Sequence, residues 1–453
     1  MKVLIAEQAT VRPCRRWLVL PCLCAALVGC AHYAPHPIDP QAEAAAFDAR
    51  TLGSGPWSLA ALQAEAEQRN PDLAIARAQR KAAEAAAITA GARPNPALST
   101  SAQRNTSAER GTKAWTYDLG LSIPIETAGK RDIRLAQAAW QAQAASYAEA
   151  EAFWRVRGKV REAYIGAFPT EQQARERAAL QASLSEETQK RLTAGMVSSG
   201  EALQTRLAAR QAALIVEDAR RRRIESLHKL AASIGMPERA LEGATLPFRD
   251  LSAEALPSAT AIDEAAKAAL QARPDVLASL AAYEASQTAL QLEIAKQYPD
   301  LSIGPGYSWD AGALKWSLAL GLMLPLFDRN RGPIAEAEAK REEAAASFRA
   351  TQEQAIADIA SARAAYAQAR RQLALAQAMV DDQAKRLLSA ERAFRAGATD
   401  RLALLAAQVE ASVTQSTHID ALLDVHRTAG MLETALRQSL ANPSVLSSSR
   451  GLP

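Results

Sequence analysis

Trp115-Thr116-Tyr117-Asp118-Leu119-Gly120-Leu121-Ser122-Ile123-Pro124-Ile125 alternates without a break. Successive side chains of an extended strand point to opposite sides, so Trp115, Tyr117, Leu119, Leu121, Ile123 and Ile125 fall on one face. Thr116, Asp118, Gly120, Ser122 and Pro124 fall on the other. A later stretch repeats the pattern, with Leu314, Trp316, Leu318, Leu320, Leu322, Leu324 and Leu326 set against Lys315, Ser317, Ala319, Gly321, Met323 and Pro325. Each stretch has a weaker partner just before it, about 97–104 and about 301–309. In the second of these Leu301, Ile303, Tyr307 and Trp309 still share a face.

Strands of about 9 to 11 residues with an apolar face, a small or polar face and aromatic residues at the ends fit an outer-membrane barrel. A soluble hairpin packed on helices is the alternative. On the barrel reading Trp115, Tyr117, Leu119, Leu121, Trp316, Leu318, Leu320 and Leu322 face lipid. Four strands cannot close a barrel, and an open edge is not tolerated in lipid, so copies of the chain must pool their strands. Three copies would supply twelve, enough to enclose a lumen, whereas eight strands leave an interior nearly filled by side chains.

Working outward, the chain repeats itself. Asn70-Pro71-Asp72-Leu73 matches Arg273-Pro274-Asp275-Val276, Pro96-Ala97-Leu98 matches Pro299-Asp300-Leu301, Pro124 matches Pro325, and Ala194-Gly195 matches Ala396-Gly397, in one order and at nearly constant offset. Each half predicts a moderate helix (57–91; 262–297), two strands, a very long helix (130–194; 334–396), a glycine turn and a returning helix (200–234; 400–438). About 64 residues of helix span roughly 95 Å, so a long helix can run beside two short ones stacked end to end. Pro169 predicts a kink or break in the first long helix, and Gly158 weakens it further.

Composition agrees with this organisation. Of 453 residues only 5% are aromatic, and strings of Ala, Gln, Glu and Arg are long, which suits helices packed through small residues better than a compact enzyme. The net charge of +4 (pI 8.9) is spread over interspersed pairs such as Glu151/Arg155, Glu187/Arg191 and Glu336/Lys340, a solvated helix face. The run Arg220 to Arg223 is diluted by Glu217, Asp218 and Glu225 and has no interleaved aromatics, which argues against nucleic acid.

All four cysteines, Cys14, Cys22, Cys24 and Cys30, lie at the start, where Arg12, Arg15 and Arg16 precede the apolar stretch Trp17 to Val28, a secretory signal peptide too short to span a membrane. Its end, Leu27-Val28-Gly29-Cys30, resembles the bacterial lipobox, which implies an acylated Cys30 as the mature N-terminus; with Ala31 next, outer-membrane sorting is expected. An ordinary signal peptide cut nearby is the alternative. The expected divisions are a signal peptide (1–29), an acylated linker (30–56), a first repeat (57–235), a connection (236–260), a second repeat (261–440) and a disordered tail (441–453). His32 and His36 have no further ligand beside them, and His228, His418 and His426 have no zinc-binding spacing. No phosphate loop or nucleophile motif occurs, so neither enzyme nor cofactor is expected.

Taken together, the duplication, Asn70-Pro71-Asp72-Leu73, Arg93-Pro94-Asn95-Pro96, Pro124 to Arg131 (PIETAGKR), Pro325 to Gly332 (PLFDRNRG) and the glycine turns make the chain similar to the TolC-like outer-membrane efflux proteins over nearly all its mature length. The resemblance implies a mainly α protein with a transmembrane β-barrel contribution. Its halves are duplicated α-β-β-α-α units, and a homotrimer forms a twelve-stranded barrel continuing into a twelve-helix periplasmic tunnel. It further implies a passive duct in the outer-membrane lipid, joined by a periplasmic adaptor to an inner-membrane pump of the resistance-nodulation-division type. The two helical turns at Gly195 and Gly397 are then the periplasmic tip, which docks the adaptor and holds the gate. Glu201 is the leading gate residue, with Arg395 or Arg401 as cationic partner and Leu203 beside it. Ala403 and Ala406 stand where acidic residues are usual in the drug-efflux branch, and Asp400 is the replacement. PIETAGKR and PLFDRNRG look more like the heavy-metal branch. Drug efflux, type I secretion and a periplasmic coiled-coil adaptor without membrane strands are the alternatives.

Overall fold

The computed structural model of the protein describes residues 33–106, 114–252, 256–310 and 312–440. The signal peptide, Cys30 and the 441–453 tail lie outside the described residues. The chain divides into two units, 1–49 and 50–453. In the first, helix α1 (Pro40–Asp48) forms inside the stretch expected to be a linker. Asp39 accepts from the backbone N–H of Gln41 and Ala42, Pro40 stands in the first turn, and the alanines that follow favour helix.

The second unit contains α2 (Leu59–Arg69), α3 (Pro71–Gly91), β1 (Ala97–Arg104), β2 (Trp115–Ile125), α4 (Lys130–Gly166), α5 (Thr170–Thr193) and α6 (Ser199–Ile234). It continues with α7 (Ala259–Ala272), α8 (Pro274–Ala295), β3 (Leu301–Asp310), β4 (Ala313–Leu322), α9 (Arg331–Arg395) and α10 (Arg401–Leu436). The same order of elements therefore runs twice. Three details differ from expectation. Each moderate helix is two helices, because the residue before a proline is driven out of the helical region: Asn70 and Arg273 have ψ of 128° and 123°. Residues 167–169 divide the first long helix at Pro169, as expected, whereas α9 runs unbroken for 65 residues, roughly 97 Å. Gly158 does not break α4. A Cβ there would stand 3.0 Å from the Thr434 hydroxyl, so the glycine allows α4 and α10 to approach closely.

The four strands form one antiparallel sheet in the order β1-β2-β3-β4. Its register places Tyr117 opposite Trp309, Leu119 opposite Tyr307, Tyr307 opposite Trp316 and Ile303 opposite Leu320. The apolar residues from Trp115 to Ile125 and from Leu314 to Leu322 consequently share one face, whereas Leu324 and Leu326 lie beyond the end of β4. Leu98 extends that face on β1, but Thr100, Ala102 and Arg104 follow there, which is why that strand is faint in the sequence. Small residues meet on the opposite face, where Gly120 lies opposite Gly306, Gly306 opposite Ser317 and Gly321 opposite Ser302.

Two apolar clusters hold the helices together. One apolar cluster joins α2, α3, α4 and the end of α6 through Leu62, Leu73, Tyr164, Leu230 and Ile234; another joins α7, α9 and α10 through Ile262, Tyr366, Val425 and Leu432. The residues before the two prolines tie these regions together in parallel fashion. The Asn70 amide donates to the Ser233 carbonyl near the end of α6 (2.7 Å), and the Arg273 guanidinium donates to the Ala435 carbonyl near the end of α10 (2.7 Å). Each closing helix then stops on a left-handed residue, Gly235 (φ +83°) and Arg437 (φ +51°). The connection between halves is not merely a spacer: Met236, Ala240 and Leu251 are buried in the first cluster.

Candidate functional site

Two regions of the chain carry the residues that the sequence singled out. At one, the strands meet the helices. The β2–α4 corner needs left-handed backbone at Ala128 (φ +54°) and Gly129 (φ +68°), and its polar side chains fasten neighbouring chain ends. Lys130, only 7% exposed, donates to the Tyr298 carbonyl (2.6 Å) and to Asp300 (2.8 Å). Thr127 donates from its backbone N–H to Asp300 and from its hydroxyl to the Pro299 carbonyl. Arg131 donates to the Gly91 carbonyl (2.8 Å) at the end of α3, and Arg134 pairs with Glu126. Helix ends leave carbonyls without intrahelical partners, and these cations satisfy them. The PIETAGKR motif is therefore a corner-forming device.

At the sheet itself Trp115, Tyr117 and Leu119 are exposed, Leu121 is half-buried, and Trp316, Leu318, Leu320 and Leu322 are all exposed in the single chain. Aromatic rings gather at the end away from the helices: Trp115 stacks on Tyr117, Tyr117 meets Trp309, and Tyr307 meets Trp316 edge-on. On the opposite face the charges also sit at that end, where Ser101 donates to Asp118, and Thr116 and Lys315 both donate to Asp310.

At the other region lie the two helical turns. In the first, Gly195 (φ +71°) and Met196 donate backwards to the Leu192 and Arg191 carbonyls; in the second, Gly397 (φ +72°) and Ala398 do the same to Phe394 and Ala393. This paired closure needs a left-handed residue, which explains both glycines. Three residues later a cap starts the returning helix: the Ser198 hydroxyl accepts from the Glu201 N–H, and the Asp400 carboxylate from the Ala403 N–H (2.8 Å). The negative charge of the first turn thus sits inside the helix at Glu201, and that of the second sits on the cap at Asp400.

Glu201 and Leu203 are exposed on α6, and Arg395 and Arg401 are exposed on α9 and α10. Arg395 reaches Glu391 of its own helix (3.9 Å), and Arg401 lies near enough to Glu186 on α5 to help hold that carboxyl below its ordinary range, after Lys190, which does most. Among the described residues Glu201 has no ion pair with either arginine. The ion pair that joins the first hairpin to the second is Arg191–Asp400 (2.9 Å). The Ala403 N–H first, and Arg191 second, hold the Asp400 carboxyl below its usual value. Arg191 reads in sequence only as half of a Glu187/Arg191 helix pair, so nothing local marks its role across the hairpins.

No group of His, Cys, Asp and Glu able to hold a metal ion occurs among the described residues, and no helix among them is long and apolar enough to cross a membrane.

Comparison with known proteins agrees with this architecture. The family described as Outer membrane efflux protein matches residues 62–236 and again 265–438. The cobalt-zinc-cadmium resistance protein CzcC of Cupriavidus metallidurans is 28% identical over 292 residues, 62% of this chain and 66% of that relative. The chain aligns with just under two thirds of that relative's length, and with 37% of the outer membrane protein OprJ of Pseudomonas aeruginosa, to which it is 27% identical over 179 residues. The outer membrane protein VceC of Vibrio cholerae superposes with a TM-score of 0.68 at 22% identity, covering 84% of this chain and 96% of that one. CusC superposes with a TM-score of 0.65 at 18% identity, covering 84% and 92%. Matched along both of its similar halves, the chain belongs to the outer membrane efflux protein family, whose members are channels and not enzymes.

Proposed function

We propose that three copies of this chain form a passive exit duct through the outer membrane. The observation that carries this reading is the four-stranded sheet, which has an apolar face across β2, β3 and β4 and free edges at β1 and β4. Exposed apolar strands with open edges aggregate in water unless they are paired and covered. Pairing β4 of one copy with β1 of the next removes the edges, puts Trp115, Tyr117, Leu119, Leu121, Trp316, Leu318, Leu320 and Leu322 against lipid, and turns the glycine- and serine-rich face to a water-filled lumen.

In this duct the α-helices form the periplasmic tunnel and the turns at Gly195 and Gly397 its tip. The tip docks a periplasmic adaptor, which links the duct to an inner-membrane pump of the resistance-nodulation-division type. Leu203, Arg395, Arg401 and Glu201 are the exposed docking and gating residues. Arg191–Asp400 latches one hairpin to the other within each copy. Substrate passes down its gradient while energy is spent at the pump, so no reacting group is required of this chain. Acylation at Cys30 anchors the mature N-terminus to the same membrane. Divalent heavy-metal cations are the substrate class, supported by the likeness to CzcC. Drug efflux, with the same duct and a different pump, is the alternative outcome.

The reading is tested by purifying the mature chain. A detergent-dependent trimer with heat-modifiable migration is expected, together with loss of cobalt, zinc or cadmium tolerance on deletion of the gene. A water-soluble monomer overturns the duct. Unchanged metal tolerance with lost resistance to organic compounds overturns only the substrate.

A further inference from the structure

The two strand-to-helix corners correspond residue by residue, with Pro124 matching Pro325 and Gly129 matching Asn330, both of the latter left-handed. Asn330 still donates inward to the Glu293 carbonyl (2.7 Å), yet the residues around it go the opposite way from their counterparts. Glu126 pairs with Arg134 inside the chain, whereas its counterpart Phe327 is fully exposed. Lys130 is buried against Asp300 and the Tyr298 carbonyl, whereas its counterpart Arg331 is exposed. Thr127 bonds across to Asp300, whereas Asp328 accepts from the nearby Asn330 N–H and, among the described residues, from no other group. Arg329 is exposed as well, and among the described residues neither arginine has a hydrogen bond or an ion pair.

This outward corner follows the apolar strand β4 directly along the chain. Leu324 and Leu326 keep the alternation of Leu318, Leu320 and Leu322, and Met323 and Phe327 beside them are also exposed. A fully exposed phenylalanine followed within four residues by two unpartnered arginines matches the boundary of a bilayer, where apolar side chains enter the acyl region and cations meet phosphate. Aromatic rings already gather at the opposite end of the strands, so the corner supplies the second aromatic level expected of a membrane barrel.

We propose that Met323 to Arg331 is a phospholipid-binding corner, on which Leu326 and Phe327 enter the inner half of the outer membrane and Arg329 and Arg331 bind lipid phosphates. The first-half corner lacks this role because its charges are spent on holding helix ends. The proposal rests on the channel reading, and two labelling sites separate the failures.

The full chain carrying Phe327→Cys, and separately Trp316→Cys, is labelled with an environment-sensitive fluorophore and reconstituted into vesicles containing phospholipid brominated along its acyl chains. The unsubstituted chain sets the background from natural cysteines. Quenching at both sites is expected. Quenching at Trp316→Cys without quenching at Phe327→Cys, whether position 327 is dry against a neighbouring copy or wet, overturns the corner and leaves the channel intact. No quenching at either site sinks the channel reading and the corner with it. In a second arm, added phosphatidylglycerol should raise the melting point of the detergent-solubilised trimer, and Arg329→Gln with Arg331→Gln should cut that shift roughly twofold or more. An equal shift in the double variant, or the same shift from inorganic phosphate, also overturns the proposal.

Discussion

Arg273→Ala is expected to loosen the closure of the second half by about 3 kcal/mol, since removing one partner of a buried charged pair costs roughly 3–5 kcal/mol. Arg273 is 2% exposed, and its guanidinium serves four groups: Asp275, the Ala435 carbonyl at 2.7 Å, the Ala355 carbonyl at 3.4 Å and Asp358 at 3.7 Å. We take the low end because Asp275 and Asp358 keep some contact with water and can recover part of their hydration. Burial pushes the Asp275 carboxyl up, but hydrogen bonds and charge from Arg273 outweigh it and leave the group below its ordinary range, which shows how far the pair depends on both members. Asn70→Ala, at the matching site, loses a neutral bond to Ser233 and a helix cap, for about 1–2 kcal/mol. Denaturant unfolding of the purified protein, followed by helical circular dichroism, compares the two variants. Pairing Arg273→Met with Asp275→Leu should recover most of the loss, because a well-packed apolar pair avoids the desolvation that an unpaired charge suffers. If Arg273→Ala proves no more damaging than Asn70→Ala, or the apolar pair recovers nothing, this account of the buried arginine is wrong.

Gly235→Ala should destabilise the chain by about 2 kcal/mol or more, because a Cβ would stand 2.4 Å from the Arg69 carbonyl oxygen at φ +83°. Gly195→Ala, with open space around it, should cost only the left-handed penalty of about 1 kcal/mol; equal melting losses would contradict the contrast. Asp400→Asn keeps a good helix cap but removes the charge paired with Arg191, so stability should change by less than about 1 kcal/mol while single-channel conductance in planar bilayers rises. Unchanged conductance would remove this latch from the gate. His426 is buried, and that burial lowers its pKa to about 4 from an ordinary 6.5. The unfolded chain therefore takes up the proton first, so this stability is present above about pH 6.5 and is lost as pH falls toward 4, by roughly 3 kcal/mol in all. The guanidinium midpoint should fall as pH drops across that window in the native chain and hold nearly level in His426→Gln.

The alternation of 115–125 and 314–322 was enough to predict the strands and their apolar face, because a period of two admits only one assignment of faces. Length and small-residue composition similarly announced long helices, and Pro169 announced a break. Local sequence carried less about where helices are divided: Asn70-Pro71 and Arg273-Pro274 are as readable as anchors of a repeat as they are as breaks. Only the folded chain shows that Asn70 and Arg273 reach 163 and 162 residues ahead to close their halves, or that Arg191 finds Asp400 rather than Glu187 alone. It also separates two corners whose sequences correspond, one turned inward and the other outward. Periodicity is a property of neighbours along the chain and survives in the sequence, whereas the partner of a buried charge is chosen by packing between helices far apart in it.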